Sequence, residues 1–238
     1  MLRALLFDFN GILVNDEPLH FALFQRVLGE EGVALSHDDY FGRYLGFDDR
    51  GCFVAALAAA GEACSSERVV RLIARKAAYY QEEIRREGYP IFAGAAELVR
   101  EAAAAGLTLA LVSGALRDEV AGGLEQAGIA ALFKHLVTAD EVLRGKPDPE
   151  GYALALAAIN AEPPLPARLI HPHECVAIED SPAGLEAAAV CGLRTLGVAQ
   201  TYPASALAQA DVVVERLEGF RLRDLEACFV DGSRLPDR

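Results

Sequence analysis

The segment Ala4-Leu5-Leu6-Phe7-Asp8 is a short apolar run that ends at a carboxylate, and the turn residues Asn10-Gly11 follow it. Because its apolar residues are consecutive rather than alternating with polar ones, the run is typical of a strand buried on both faces of a parallel sheet. Further runs of the same kind occur at residues 107–112, 135–137, 176–178, 195–198 and 212–214.

Helical patterns separate these runs. Apolar residues recur at helical spacing in residues 95–105, 116–127, 152–159 and 183–191. Regular alternation of buried strands and helices is the signature of a doubly wound sheet. We therefore predict an α/β fold with a Rossmann-like parallel sheet as its core.

Residues 17–88 interrupt that alternation. They contain four helical patterns and no strand-like run, and Gly32, Gly61 and Gly88 follow three of the helices. We predict an inserted α-helical bundle, so that residues 1–15 and 91–238 form the core domain and residues 16–90 a helical cap domain. The two crossings, near residues 15–17 and 88–91, are candidate hinges.

The composition excludes several classes of protein. Lys plus Arg total 22 against 35 for Asp plus Glu, so the formal charge is −13 and we expect no nucleic-acid partner. No apolar segment approaches the roughly 18 residues that a membrane span needs, and the apolar N-terminal run is too short for a signal peptide. The five cysteines lack metal-site spacing and favour a reducing compartment. We expect a cytoplasmic protein, monomeric or weakly dimeric, that does not bind membranes.

Polar residues stand where the predicted strands end. Asp8 follows the first strand, Ser113-Gly114 the second, and Glu179-Asp180 the fourth, while Lys146 lies in the loop after the third. Ligands of open α/β sheets bind at the carboxyl ends of the strands, so these side chains should meet at one edge.

These residue types suit phosphoryl transfer. Mg²⁺ prefers carboxylate oxygens and is the cofactor that we expect, with Asp8 and Asp180 as candidate ligands. The Ser113 hydroxyl, the Gly114 N–H and the Lys146 ammonium can compensate charge on a phosphoryl group. Asp8 itself can attack phosphorus and form an aspartyl-phosphate.

Each motif also has an ordinary structural interpretation. Asp8 can cap a helix, Ser113-Gly114 can form a turn, Lys146 can be a solvated loop residue, and Glu179-Asp180 can precede a helix that begins at Pro182. The occurrence of all four at strand ends, in this order, favours the functional interpretation.

The motifs resemble those of the haloacid dehalogenase superfamily, in the β-phosphoglucomutase and phosphoglycolate-phosphatase branch with a helical cap. The resemblance rests on residues 8–11, 112–114, 145–149 and 178–184. It implies that Asp8 is the nucleophile and that Ser113 and Lys146 hold the phosphoryl group, with Gly11 and Gly114 beside it. It further implies that Asp8, the Asn10 carbonyl and Asp180 bind Mg²⁺, with Glu179 assisting directly or through water.

Asn10 departs from the family pattern, in which a second aspartate serves as general acid and base. An amide cannot deliver a proton to the leaving group, and such help is typically worth about 10² to 10⁴ in rate. Four explanations stay open: substrates with good leaving groups, a proton from His20, a variant made to trap a complex, or deamidation at Asn10-Gly11. A natural variant with weak or specialised activity is our first choice.

Three cap residues are candidate substrate contacts. Arg50, beside a glycine-containing loop at residues 46–50, can hold a phosphate or carboxylate, and Lys76 lies where cap cations occur in the mutases. Simple solvated helix charges are the favoured alternative for Arg50 and Lys76, and His20 can equally well cap or pack. A phosphonatase is disfavoured because residues 51–53 contain no lysine, and a dehalogenase because Glu179-Asp180 is intact.

Together these features predict a Mg²⁺-dependent phosphatase of a small phosphorylated metabolite, acting through an aspartyl-phosphate. A β-phosphoglucomutase-like sugar phosphate mutase and a non-catalytic metabolite-binding relative are the alternatives.

Overall fold

The computed structural model describes residues 1–161 and 168–230. These residues form two compact units. The core unit contains residues 1–15 and the chain from residue 89 onward, and the helical unit contains residues 16–88.

The core unit is built on a parallel sheet. Its described strands are β1 (Ala4–Phe7), β2 (Thr108–Val112), β3 (His135–Val137), β4 (Cys175–Glu179), β5 (Arg194–Val198) and β6 (Val212–Val214). They lie in the order β3-β2-β1-β4-β5-β6, and every neighbouring pair is parallel. The predicted doubly wound fold is confirmed, and β1 with β4 forms the point where the strand order reverses.

The helical unit consists of α1 (Glu17–Glu30), α2 (His37–Asp39), which continues into a π-helical turn over Tyr40–Tyr44, α3 (Asp49–Ala59) and α4 (Ser66–Glu87). Helix α3 begins at Asp49 because the Asp48 side chain accepts the Gly51 N–H at 2.7 Å and caps the helix. Ser36 caps α2 in the same way through the Asp39 N–H at 3.0 Å. Phe24, Phe53 and Leu72 lie in the apolar core of this unit.

The remaining helices of the described core unit are α5 (Ala95–Ala104), α6 (Arg117–Gln126), α7 (Glu150–Ala161), α8 (Pro182–Val190) and α9 (Leu222–Val230). Side chains of β1 alternate between two apolar clusters. Leu5 and Phe7 pack on one face of the sheet and Ala4 and Leu6 on the other, as the two-residue period of a strand requires. Both faces are therefore covered, and ligand access is left to the strand ends.

The two segments at the crossings are joined within the core unit. The Asn15 N–H donates to the Pro90 carbonyl at 2.7 Å, and the Phe92 N–H donates to the Leu13 carbonyl at 2.9 Å. None of the described helices combines the length and the apolar character that crossing a lipid bilayer requires.

Candidate active site

Asp8 lies at the carboxyl end of β1, beside β4, at the point where the order of the strands reverses. Phe7 is in register with Ile178 of β4, and the Asp8 N–H donates to the Ile178 carbonyl at 3.0 Å. The residue is 7% exposed. This hydrogen bond extends the ladder past the strand end and fixes the backbone from which the carboxylate projects.

Lys146 joins two of the carboxylates at this edge. Its Nζ lies 2.7 Å from Asp8 Oδ1 and 2.5 Å from Glu179 Oε1. Burial by itself lowers the pKa of Lys146, but the charges of Asp8 and Glu179 raise it above its ordinary value. The alternative of a solvated loop lysine is therefore wrong, and the side chain stays an ammonium.

Asp8, Glu179 and Asp180 form a buried acidic cluster. Each offers an oxygen, and the three oxygens lie within 4.8 Å of one another. Burial raises the pKa of Asp180, and the charges of Asp8 and Glu179 raise it further. Burial also raises the pKa of Glu179, to about 7, although Lys146 opposes the shift. These raised pKa values reflect the cost of ionising three carboxyl groups beside a single ammonium. A divalent cation would offset that cost, and hard oxygen donors of this kind fit Mg²⁺.

The loop after β1 brings Asn10 and Gly11 beside this cluster. Gly11 has φ +77°, and a Cβ at this position would lie 1.8 Å from Asp180 Oδ2. Only glycine therefore permits this close approach. The Gly11 N–H donates to the Val14 carbonyl at 2.8 Å. Deamidation of Asn10 needs that nitrogen to attack the amide, so this hydrogen bond opposes the deamidation hypothesis.

Ser113 and Gly114 lie at the carboxyl end of β2, the strand next to β1. The Ser113 N–H donates to the Val137 carbonyl at 2.9 Å, and its Oγ accepts the Ala115 N–H at 3.0 Å. The Ser113 side chain is buried, whereas a Cβ at Gly114 would meet no atom within 4 Å. The loop thus holds the hydroxyl firmly and leaves open space at the backbone beside it.

Tyr152, which the sequence did not single out, supports the acidic cluster from α7. Its fully buried hydroxyl donates to Glu179 Oε1 at 2.5 Å. On the other side of this carboxylate, a Cβ at Gly184 would lie 2.1 Å from Glu179 Oε2. Ser181 caps α8 through the Gly184 N–H, so the ordinary interpretation of residues 181–182 as a helix start is also correct. Glu179 is enclosed by Lys146, Tyr152 and α8.

The Tyr152→Phe variant is expected to lose about 1.5 to 3 kcal/mol of unfolding free energy, because a buried carboxylate loses a donor. Urea denaturation of the full chain measures the loss. Tyr79→Phe is the matched control, since the Tyr79 hydroxyl donates to the exposed Glu30 at 2.9 Å. Equal losses in the two variants would contradict a supporting role for Tyr152.

In the helical unit, Lys76 and His20 are bound to each other. Lys76 Nζ lies 2.8 Å from His20 Nδ1 and 2.5 Å from Asp49 Oδ1, and Lys76 is only 2% exposed. An ammonium has no acceptor, so His20 Nδ1 accepts and Nε2 carries the proton. That nitrogen faces Asp16 Oδ2 at 3.3 Å. The expectation of a solvated Lys76 was wrong, because these partners take it into the interior of the unit.

Arg50 behaves as the solvated interpretation predicts. It lies in the first turn of α3, is exposed, and forms no ion pair with any residue that the structure describes. Among the predicted site residues, direct contacts join Asp8, Lys146 and Glu179 in the core unit, and His20 and Lys76 in the helical unit. Asp180 belongs to the same acidic cluster as Asp8 and Glu179, and Gly11 closely approaches Asp180.

Comparison with known proteins identifies relatives over nearly the whole chain. A family model described as haloacid dehalogenase-like hydrolase matches residues 2–192. Validoxylamine A 7'-phosphate phosphatase from Streptomyces hygroscopicus subsp. limoneus is 33% identical over 221 residues, 93% of this chain and 97% of the relative. A phosphorylated carbohydrates phosphatase from Thermotoga maritima is 28% identical over 195 residues, 82% of this chain and 84% of the relative.

The fold agrees with a solved structure from the branch that the motifs indicate. A β-phosphoglucomutase from Clostridium difficile superposes with a TM-score of 0.79 at 20% identity, and the match covers 96% of this chain and 97% of that one.

Proposed function

The chain belongs to the haloacid dehalogenase-like hydrolase family, and on this premise we propose that it is a Mg²⁺-dependent phosphatase of a small phosphorylated carbohydrate. The observation that carries the proposal is the environment of Asp8. This carboxylate is buried at the end of the central strand and is held by Lys146 through one oxygen, Oδ1. Its other oxygen, Oδ2, accepts no hydrogen bond from the described residues and is available as the nucleophile.

The reaction proceeds in two displacements. An Asp8 oxygen attacks phosphorus, the bond from phosphorus to the substrate oxygen breaks, and the electron pair leaves with that oxygen. Water then attacks the phosphorus of the aspartyl-phosphate, which releases inorganic phosphate and restores the Asp8 carboxylate. Lys146 and Ser113 would hold the phosphoryl oxygens during both displacements.

Mg²⁺ would be held by Asp8, Asp180 and the backbone carbonyl of Asn10, with Glu179 assisting. When bound, it supplies charge compensation for the transferring group. The chain's own part is to preorganise the carboxylates. Lys146 and Tyr152 both donate to Glu179 Oε1, and the absent side chain of Gly11 leaves space for Asp180.

Asn10 determines which leaving groups are accepted. The departing alkoxide of a sugar needs a proton, which an amide cannot supply, whereas an aryl or acyl phosphate leaves without one. In the helical unit the His20 Nε2–H already faces Asp16, so donation from His20 would break that contact. We therefore expect slow turnover of ordinary sugar phosphates.

A phosphatase is favoured over a mutase because both relatives named above are phosphatases. A mutase must also pass protons to and from the hydroxyl groups of its sugar, which the Asn10 amide cannot do. We propose that residues 16–88 are the cap domain. Of the three cap residues predicted to contact the substrate, Arg50 remains the candidate for binding an anionic group.

The carbohydrate class of the substrate rests on the names of the two phosphatase relatives.

Mg²⁺ is expected to stabilise the free protein. At a concentration of 100 times its Kd, the ion adds about 2.7 kcal/mol to the unfolding free energy. In a protein of this size that corresponds to a Tm increase of roughly 5 to 10 °C. Differential scanning calorimetry measures the increase.

Asp180→Asn is expected to remove this stabilisation together with Mg²⁺-dependent phosphate release. Asp118→Asn, an exposed residue in the first turn of α6, is the control and should respond to Mg²⁺ as the unmodified protein does.

Phosphate release from sugar, aryl and acyl phosphates, with the sugar product identified, tests the function itself. Conversion of a sugar phosphate to its isomer without phosphate release would instead establish a mutase. Tight Mg²⁺-dependent ligand binding without turnover would establish a binding protein.

A further inference from the structure

The loop after β5 carries two polar residues that the mechanism above does not use, Gln200 and Thr201. Gln200 bridges two other loops of the core unit. Its Nε2 donates to the Gly11 carbonyl at 2.8 Å, and its Oε1 accepts the Leu217 N–H at 3.3 Å. Both ends of the amide are thus occupied, and the bond to the Gly11 carbonyl fixes the peptide between Gly11 and Ile12, one residue beyond the Asn10 carbonyl.

Thr201 reaches the acidic cluster. Its hydroxyl is hydrogen-bonded to the carboxyl group of Asp180. A Cβ at Gly11 would lie 1.8 Å from Asp180 Oδ2 and 2.6 Å from Thr201 Oγ1, so the two oxygens approach Gly11 at the same point. The Asp180 carboxylate is therefore confined between the loop after β1 and the loop after β5.

We infer that Gln200 and Thr201 are positioning residues of the metal site. Thr201 sets the orientation of the Asp180 carboxylate, and Gln200 sets the path of the backbone that presents the Asn10 carbonyl. The inference rests on the proposed function, because it concerns the Mg²⁺ of that site. Groups that orient metal ligands typically contribute 10- to 100-fold to metal affinity, which is the size of effect expected here.

The test is Mg²⁺ binding to the full chain without substrate, measured by isothermal titration calorimetry. Thr201→Val keeps the shape and removes the hydroxyl, and its Kd for Mg²⁺ should rise about tenfold or more. Thr201→Ser retains the hydroxyl and should recover most of the affinity. Thr108→Val is the matched control at the other end of the sheet, in the first residue of β2, and should bind as the unmodified chain does.

The outcomes separate this inference from the proposed function. If the unmodified chain binds Mg²⁺ and Thr201→Val binds it equally well, the inference is overturned and the proposed function stands. If the unmodified chain binds no Mg²⁺, the proposed metal site fails and the inference fails with it. A lower Tm of the metal-free variant with an unchanged Kd would assign Thr201 a structural role only, which also overturns the inference.

Gln200→Met provides an independent variant, since it leaves Thr201 in place and removes both hydrogen bonds of the amide. It should also weaken Mg²⁺ binding. In turnover assays, both variants should need more Mg²⁺ for half-maximal activity and approach the unmodified kcat when Mg²⁺ is saturating. Should Thr201→Val fail to fold, the Kd of Gln200→Met decides the inference.

Discussion

Asp8→Asn is expected to lower kcat at least about 10⁴-fold, because the amide that replaces the carboxylate cannot form an aspartyl-phosphate. The substitution preserves the shape of the side chain at the end of β1. Lys146 retains Glu179 as a partner at 2.5 Å, so the fold should persist. Phosphate release from an acyl or aryl phosphate, with circular dichroism of the same sample, measures both effects.

Direct detection of the intermediate completes this test. After an acid quench, the unmodified protein should carry one phosphoryl group on the peptide that contains Asp8, and Asp8→Asn should carry none. Asp118→Asn again serves as the control, with unchanged turnover. Retention of phosphate release in a folded Asp8→Asn variant would show that the covalent scheme is wrong.

Asn10→Asp is expected to increase turnover of sugar phosphates by about 10² to 10⁴, because the new carboxyl group can protonate a departing alkoxide. Aryl and acyl phosphates should gain less, since their leaving groups need no proton and the new carboxylate assists only the attack of water on the aspartyl-phosphate. The contrast between the two substrate classes is the informative quantity. It is measured as the ratio of kcat/KM values before and after the substitution.

Asn15→Asp makes the same chemical change five residues further along, at an exposed position. It controls for the added negative charge and should alter neither substrate class. Suppose that the unmodified protein already hydrolyses a sugar phosphate well and Asn10→Asp gains nothing. Another group would then supply the proton, and the role assigned to Asn10 would be wrong.

The fold was accessible from local sequence because parallel strands buried on both faces must be continuously apolar. The runs ending at Asp8, Val112 and Ile178 therefore identified strands without any knowledge of their pairing. The helical unit followed from apolar spacing in the same way. Helix α9 and the π-helical turn at Tyr40–Tyr44 were not anticipated.

The core of the candidate site followed from one rule, that polar residues at the carboxyl ends of parallel strands converge. The rule brought Asp8, Lys146 and the Glu179-Asp180 pair to one edge. The same rule, applied to the end of β5, also identifies Gln200 and Thr201.

Contacts between distant segments could not be derived in this way. Lys76 is buried because Asp49 and His20, 27 and 56 residues away, lie beside it. Tyr152 contacts Glu179 because α7 packs on the sheet at that point. Residue type and strand position thus identify which chemistry is present, since they depend on local pattern and on the direction of the strands. Charge state, burial and partner depend on side-chain packing between segments far apart in the chain, and only the tertiary structure specifies that packing.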